Sequence, residues 1–387
     1  MTTPTSPLLA EHEALGASLT EFGGWLMPLR YGSDIAEHNA VRSRAGLFDI
    51  SHMGQIRVVG PQAAQALDYA LVGWLSQLYD GKARYTMICQ DDGAVIDDLV
   101  VYRLRQDEFL VVANAGNTPA VLVALRQRVA GFKATVEVPD RQQALIAVQG
   151  PAAQAILQLP TLTETEAAEA IAMLPYYAIT AARVASIDVL VARTGYTGED
   201  GFELFVSADH AVSLWRALLD VGATDGLIPA GLSARDSLRL EAGMPLYGHE
   251  LDLTTTPYEA GLGRVVRLDK KDEQGEPLDF IGRDALAARR HSNPARVLVG
   301  IKSLGRRAVR AGDVLVPDAA RPDRTVGTVT SGAPSPTLGY PIAMAYVSAE
   351  FSAIGTELIA LVRGRAEQVE VVPMPFYRRP AATSALT

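Results

Sequence analysis

The chain has 387 residues, 48% hydrophobic and 20% charged, the composition of a folded globular protein too long for a single core. Its 44 acidic residues outweigh 35 basic ones, and the resulting net charge of −9 argues against a general nucleic-acid binder. The lone cysteine, Cys89, excludes an internal disulfide and fits a reducing compartment, so a cytoplasmic location is expected.

The opening Met-Thr-Thr-Pro-Thr-Ser has no basic or apolar signal region, so no signal peptide is expected. Residues 12–32 mix a short helix with the aromatic segment Phe22-Gly23-Gly24-Trp25, and Ser33 is placed to cap a helix running to about Arg44. A strand over 55–59 follows, and Gly60-Pro61 predicts a helix with proline at its first position. Strands are predicted over 84–89, 95–103 and 109–113, the first two joined by the turn Asp91-Asp92-Gly93, and Asn117 is placed to cap a helix to about Val129. This mixture predicts an α+β protein whose region 55–138 is an antiparallel sheet with helices on one face.

Residues 144–163 are uncharged, but Gln149-Gly150-Pro151 and Pro160 break the run, so it reads as strand, turn and helix and no membrane span is expected. Two further helices are predicted over 211–221 and 233–242. Residues 273–279 read as a polar linker, and from 296 onward short strands with Gly, Pro and Asp turns predict a small all-β sandwich or barrel. The last seven residues, 381–387, are expected to be disordered.

No Gly-x-Ser-x-Gly elbow, Cys-x-x-Cys pair, His-Glu-x-x-His motif or P-loop is present, and the six histidines have no metal-ligand spacing. No metal is expected. Chemistry points instead to carboxylates, aromatics and arginines acting on an organic ligand. In Arg193-Thr194-Gly195-Tyr196-Thr197-Gly198-Glu199-Asp200-Gly201-Phe202-Glu203, glycine recurs every third residue between two apolar strands, the pattern of an irregular turn shaped around something. In Val95-Ile96-Asp97-Asp98-Leu99-Val100, strand alternation sends the two aspartates to opposite faces, so one of them points toward a core or cavity.

These stretches occur in a recognisable order. Phe48-Asp49-Ile50-Ser51-His52-Met53, Asp97-Asp98-Leu99, Ala147-Val148-Gln149-Gly150-Pro151, Gly195-Tyr196-Thr197-Gly198-Glu199, Ala234-Arg235-Asp236 and Ser331-Gly332 through Gly339-Tyr340 resemble the glycine cleavage system T proteins over nearly the whole chain. The resemblance implies a three-domain cloverleaf around a central folate tunnel. Its first domain is discontinuous (1–53 and 139–278), its second is inserted (54–138), and its third is a C-terminal β-barrel or jelly-roll-like domain (279–380).

It also implies an activity: transfer of the one-carbon unit of aminomethyl-lipoyl H protein to tetrahydrofolate. The products are 5,10-methylenetetrahydrofolate, ammonia and dihydrolipoyl H protein. By position the resemblance assigns Asp97 as the catalytic carboxylate and Glu203 as the pterin holder. Tyr85, Tyr176, Tyr196, Arg235, Arg378, Met53 and Asn114 are assigned to the folate site. A tetrahydrofolate-dependent demethylase and a folate-binding iron–sulfur accessory protein are the alternatives, though Cys89 lacks the motif context of the latter. Independently of any family, residues 283–310 hold eight basic residues (Arg283, Arg289, Arg290, Arg296, Lys302, Arg306, Arg307, Arg310) against one acidic residue, Asp284. Such a face suits an acidic partner, with H protein expected, or a polyglutamylated folate tail.

Overall fold

The computed structural model describes residues 3–139, 143–272 and 274–380; the expected disordered tail and Glu273, first residue of the expected linker, lie outside them. Two sheets face each other and a closed barrel packs beside them. The six-stranded sheet runs, edge to edge, Ile179–Val184, Ile187–Ala192, Gly201–Ser207, Gln143–Gln149, Ala45–Asp49 and Leu227–Pro229. The five-stranded sheet runs Ala83–Cys89, Val95–Arg105, Glu108–Ala113, Gly54–Val59 and Thr135–Glu137. The six-stranded barrel is antiparallel throughout and built from segments between Arg296 and Val372.

Strand alternation explains how two sheets enclose a site. In Gly201–Ser207, Phe202, Leu204 and Val206 sink into a core with Trp215 and Leu218 of the helix Ala208–Gly222. Glu203 and Phe205 therefore turn to the opposite face. In Val95–Arg105, Leu99 and Val101 pack with Leu67 of helix Ala63–Ala70 and Val121 and Leu125 of helix Thr118–Val129. Asp98, Val100 and Tyr102 therefore face the first sheet, and Tyr102 shares a core with Phe205, Ala147 and Phe48. Both outer faces carry helices, so the inner faces are left to meet one another.

Several local expectations meet the structure directly. Ser33 accepts from the Ala36 N–H at 3.3 Å and caps Asp34–Ser43. Asn117 occupies the N-cap position of Thr118–Val129 without capping it; its Nδ2 donates instead to the Ile96 carbonyl at 2.9 Å and to Asp97 Oδ1 at 3.1 Å. Gly60-Pro61 forms a turn and the helix begins at Ala63. The aromatic segment near residue 22 is the tip of an antiparallel hairpin, Ser18–Phe22 with Trp25–Arg30, whose left-handed Gly23 and Gly24 (φ 57° and 84°) make the turn. One pairing, Leu227–Pro229 with Ala45–Asp49, is parallel. Among the described residues no helix is long and apolar enough to cross a membrane.

The glycine-rich stretch is shaped around a side chain of the protein itself. Gln149 donates to the Thr194 carbonyl at 3.0 Å and accepts from Thr197 Oγ1 at 3.0 Å. A Cβ at Gly195 or Gly201 would collide with that amide, and Gly198 is left-handed (φ 82°). Two glycines thus admit Gln149, and the third makes the bend.

A buried ionic network then locks this loop to the rest of the chain. Arg42 reaches Glu241 (2.8 and 3.0 Å), Glu199 (2.9 Å) and the Thr197 carbonyl (2.7 Å), and stacks on Tyr377 with 4.0 Å from guanidinium carbon to ring centre. Glu241 also accepts from Thr337 (2.7 Å) and Ser335, and lies 3.2 Å from His38. Burial pushes the Glu241 carboxyl up, but His38, Ser335 and Thr337 outweigh it and hold it at about 2. A carboxyl held below its unfolded value lends stability above about pH 4.5 that fades as pH falls toward 2. Glu241→Gln should lower the unfolding free energy at pH 7 by ~3–5 kcal/mol, the usual cost of breaking a buried pair. In urea titrations that deficit should shrink as the buffer is taken from pH 4.5 toward 2. A loss well under 1 kcal/mol would remove the network from this role.

Candidate functional site

Between the facing sheets lies a cavity of about 480 Å³, within the range of small-molecule sites. From the first sheet and its glycine-rich loop come Glu203, Thr194 and Tyr196; from the second come Tyr85, Asp98 and Tyr102. Ile50, His52 and Met53 enter from the turn after Ala45–Asp49, and Arg235 from helix Leu232–Glu241.

Two polar clusters divide this wall. Glu203 Oε2 accepts from Thr194 Oγ1 at 2.6 Å and from the Tyr102 hydroxyl at 3.4 Å, and those two hydroxyls are 2.9 Å apart. The second carboxylate oxygen, Oε1, has no hydrogen-bond partner among the described residues. Arg235 lies over the Tyr196 ring, 4.7 Å from guanidinium carbon to ring centre. In the other cluster, Asp98 accepts from the Tyr85 hydroxyl at 3.0 Å and from the Asn114 amide at 2.8 Å. The same amide donates to Asp97 Oδ1 at 2.8 Å, and the Asn114 backbone N–H donates to Asp97 Oδ2 at 3.0 Å. Burial raises both carboxyls. Asp97, with the charge of Asp98 beside it, is pushed up to about 7.

Of the residues that the resemblance assigned, Glu203, Tyr85, Tyr196, Arg235, Met53 and Asn114 line the cavity together. Asp97, Tyr176 and Arg378 do not. Asp97 is fully buried on the helix-covered side of its strand because neighbouring strand residues point to opposite faces, and Asp98 takes the cavity position. Tyr176 is 50% exposed and packs edge-on against Tyr177, whose ring lines the cavity in its place. Arg378 lies exposed just beyond Tyr377, which is itself held under Arg42.

Sequence reasoning left open which of Asp97 and Asp98 faces the cavity, and it assigned no site role to Tyr102, Tyr177, Thr194 or His52. For Asp98 and Tyr102 the signal was present: with Leu99 and Val101 as the core positions, the even residues must face away. The basic run 283–310 is spread over helix Arg283–Arg289, strand Arg296–Ser303 and the segment beyond. Much of it is engaged internally. Arg289 donates to the Asp92 carbonyl, Arg296 pairs with Glu259 at 3.0 Å, and Arg310 donates to the Gly332 carbonyl at 2.7 Å. The guanidinium groups of Arg290 and Arg306 are exposed and have no hydrogen bond or ion pair among the described residues.

Comparison with known proteins finds relatives over nearly the whole chain. Residues 8–270 match the GCVT N-terminal domain, and residues 296–378 match the glycine cleavage T-protein C-terminal barrel domain. An aminomethyltransferase of Streptomyces coelicolor is 55% identical over 374 residues, covering 96% of each chain. One of Saccharopolyspora erythraea is 56% identical over 376 residues, covering 97% of this chain and 98% of the other. The crystal structure of glycine cleavage system aminomethyltransferase T from Bartonella henselae superposes with a TM-score of 0.86 at 36% identity, covering 98% of this chain and 99% of that one. The chain belongs to the glycine cleavage T-protein family.

Proposed function

We propose that this protein is the aminomethyltransferase of the glycine cleavage system, working in the cytoplasm. It moves the one-carbon unit of aminomethyl-lipoyl H protein to tetrahydrofolate and releases ammonia. One observation carries the reading: a single cavity holds a partly satisfied carboxylate, Glu203, and a burial-raised one, Asp98, each supplied by a different sheet. Full-length aminomethyltransferase relatives favour aminomethyl over methyl transfer. The division into residues 1–53 with 139–278, 54–138 and 279–380 belongs to the same proposal.

Tetrahydrofolate supplies two amines, N5 and N10, between which the carbon is left. The chain supplies the rest. Glu203 is suited to accept the adjacent N–H donors of a 2-amino-4-oxopyrimidine edge, with Thr194 and Tyr102 fixing its orientation. Tyr85, Tyr196 and Met53 flank the bound rings, and Arg235 offsets the negative charge of Glu203. Tyr176 and Arg378, outside the lining, are assigned to the exposed tail of the folate. Asp98 takes the catalytic role that the resemblance gave to Asp97: facing the cavity, it holds the cationic aminomethyl nitrogen and accepts a proton from it. Asp97 then acts as a positioning residue behind it, joined to it through the Asn114 amide on the cavity wall.

Glu203→Gln should weaken tetrahydrofolate binding about tenfold or more in calorimetric titration, since a charge-assisted acceptor is lost. Unchanged affinity would move the pterin off this loop. Asp98→Asn should bind folate within a few-fold of wild type while turnover falls ~10²- to 10⁴-fold, the range of one positioned acid–base group. A severe loss in Asp97→Asn beside a mild one in Asp98→Asn would reverse the assignment. For the lipoylated H protein, the free charges of Arg290 and Arg306 are the proposed contact. Reversing both to glutamate should raise KM for H protein and flatten its salt dependence while leaving KM for tetrahydrofolate alone. Equal KM values for H protein at every salt concentration would place the docking face elsewhere.

A further inference from the structure

His52 is a polar residue on the cavity wall that the mechanism above leaves idle. It is 2% exposed, and neither ring nitrogen has a hydrogen-bond partner among the described residues. Eight described residues carry a buried side-chain N or O atom without a partner, and of these only His52 lines the cavity. Buried polar atoms are rarely left unsatisfied, so an orphan on a cavity wall points to what fills the cavity.

The ring sits among fixed neighbours whose own polar groups are already engaged. Its neighbour Ser51 is tied to Asp49 Oδ1 through its hydroxyl at 2.6 Å and accepts from the Leu145 N–H at 3.1 Å. Phe22, at the tip of the Ser18–Phe22 hairpin, packs edge-on against the imidazole with 5.5 Å between ring centres. Asp49, the nearest anion, is occupied by His12 at 2.7 Å and by Ser51. Burial, with the Arg235 cation, pushes His52 down to about 4 against the pull of Asp49, so the ring is neutral at physiological pH.

A neutral imidazole has one N–H and one lone pair. Nδ1 is shielded from solvent and unpartnered, whereas Nε2 is not so shielded, and the residue lines the cavity. An orphaned lone pair is tolerated better than an orphaned N–H, which places the proton on Nε2. We propose that His52 is a ligand-binding residue whose Nε2–H donates to an acceptor atom, a ring carbonyl oxygen or nitrogen, of the heterocycle whose donor edge Glu203 holds. This inference rests on the folate reading above. A carboxylate for the donors and an uncharged N–H for the acceptor together read both polarities of a lactam-type ring.

The test is anaerobic calorimetric titration of wild type, His52→Phe and His52→Gln with tetrahydrofolate, alongside ¹⁵N spectra of the histidine rings with and without it. His52→Phe keeps a ring against Phe22 and should bind about tenfold or more weakly, while His52→Gln, which retains an N–H donor, should recover most of the affinity. The wild-type His52 signal should be that of the Nε2–H tautomer and should move on saturation. Wild-type affinity in His52→Phe, or a His52 Nε2 signal unmoved by the ligand, overturns the inference and leaves the folate reading standing. No binding by the wild type overturns both. Should His52→Phe fail to fold, the wild-type spectra and His52→Gln decide the matter.

Discussion

The contact between Arg42 and Glu241 is the constraint on which the site depends. The two residues are 199 positions apart, and both are almost fully buried. An isolated charge in that position would be expensive. Arg42 meets the cost by reaching Glu199, the Thr197 carbonyl and the face of Tyr377, and Glu241 meets it by collecting His38, Thr337 and Ser335. The loop that carries Thr194 and leads into Glu203 is therefore fixed from outside the cavity, by groups drawn from two helices, the barrel and the C-terminal segment.

Inside the cavity the electrostatics are kept asymmetric by placing neutral donors around carboxylates. Thr194 and Tyr102 satisfy one oxygen of Glu203, while Arg235 supplies the compensating charge without pairing with it. The Asp97–Asp98 pair receives only neutral donors, from Asn114, Asn117 and Tyr85. Nothing cationic lies among these partners, so burial raises both carboxyls and the pair retains an affinity for protons and for a cationic amine.

Much of this was legible in the sequence, because short-range rules governed it. The Ser33 cap, the antiparallel hairpins around Asp91-Asp92-Gly93 and the β-rich C-terminal region followed from residue type and spacing. The glycine spacing announced a specially shaped loop, but that Gln149 fills it depends on a neighbouring strand and could not be read locally. Alternation along Val95–Arg105 separated the two aspartates correctly, yet choosing between them required knowing which face the helices cover. The Arg42–Glu241 contact and the parallel pairing of Leu227–Pro229 join segments too distant for any local pattern.

The order in which these strands leave the ribosome has its own consequence. Every strand of the five-stranded sheet lies between Gly54 and Glu137, so that sheet can close as soon as its own stretch is made. The strand Ala45–Asp49 is synthesised earlier, but its partners arrive only with Gln143–Gln149 and Leu227–Pro229. At ordinary elongation rates the stretch from 49 to 149, after which the first partner is complete, takes about 5–20 s. During that interval an apolar strand made early waits unpaired while the five-stranded sheet is finished, and that sheet then offers the inner face that the later strands cover. Vectorial synthesis thus builds one wall of the cavity first and assembles the other against it.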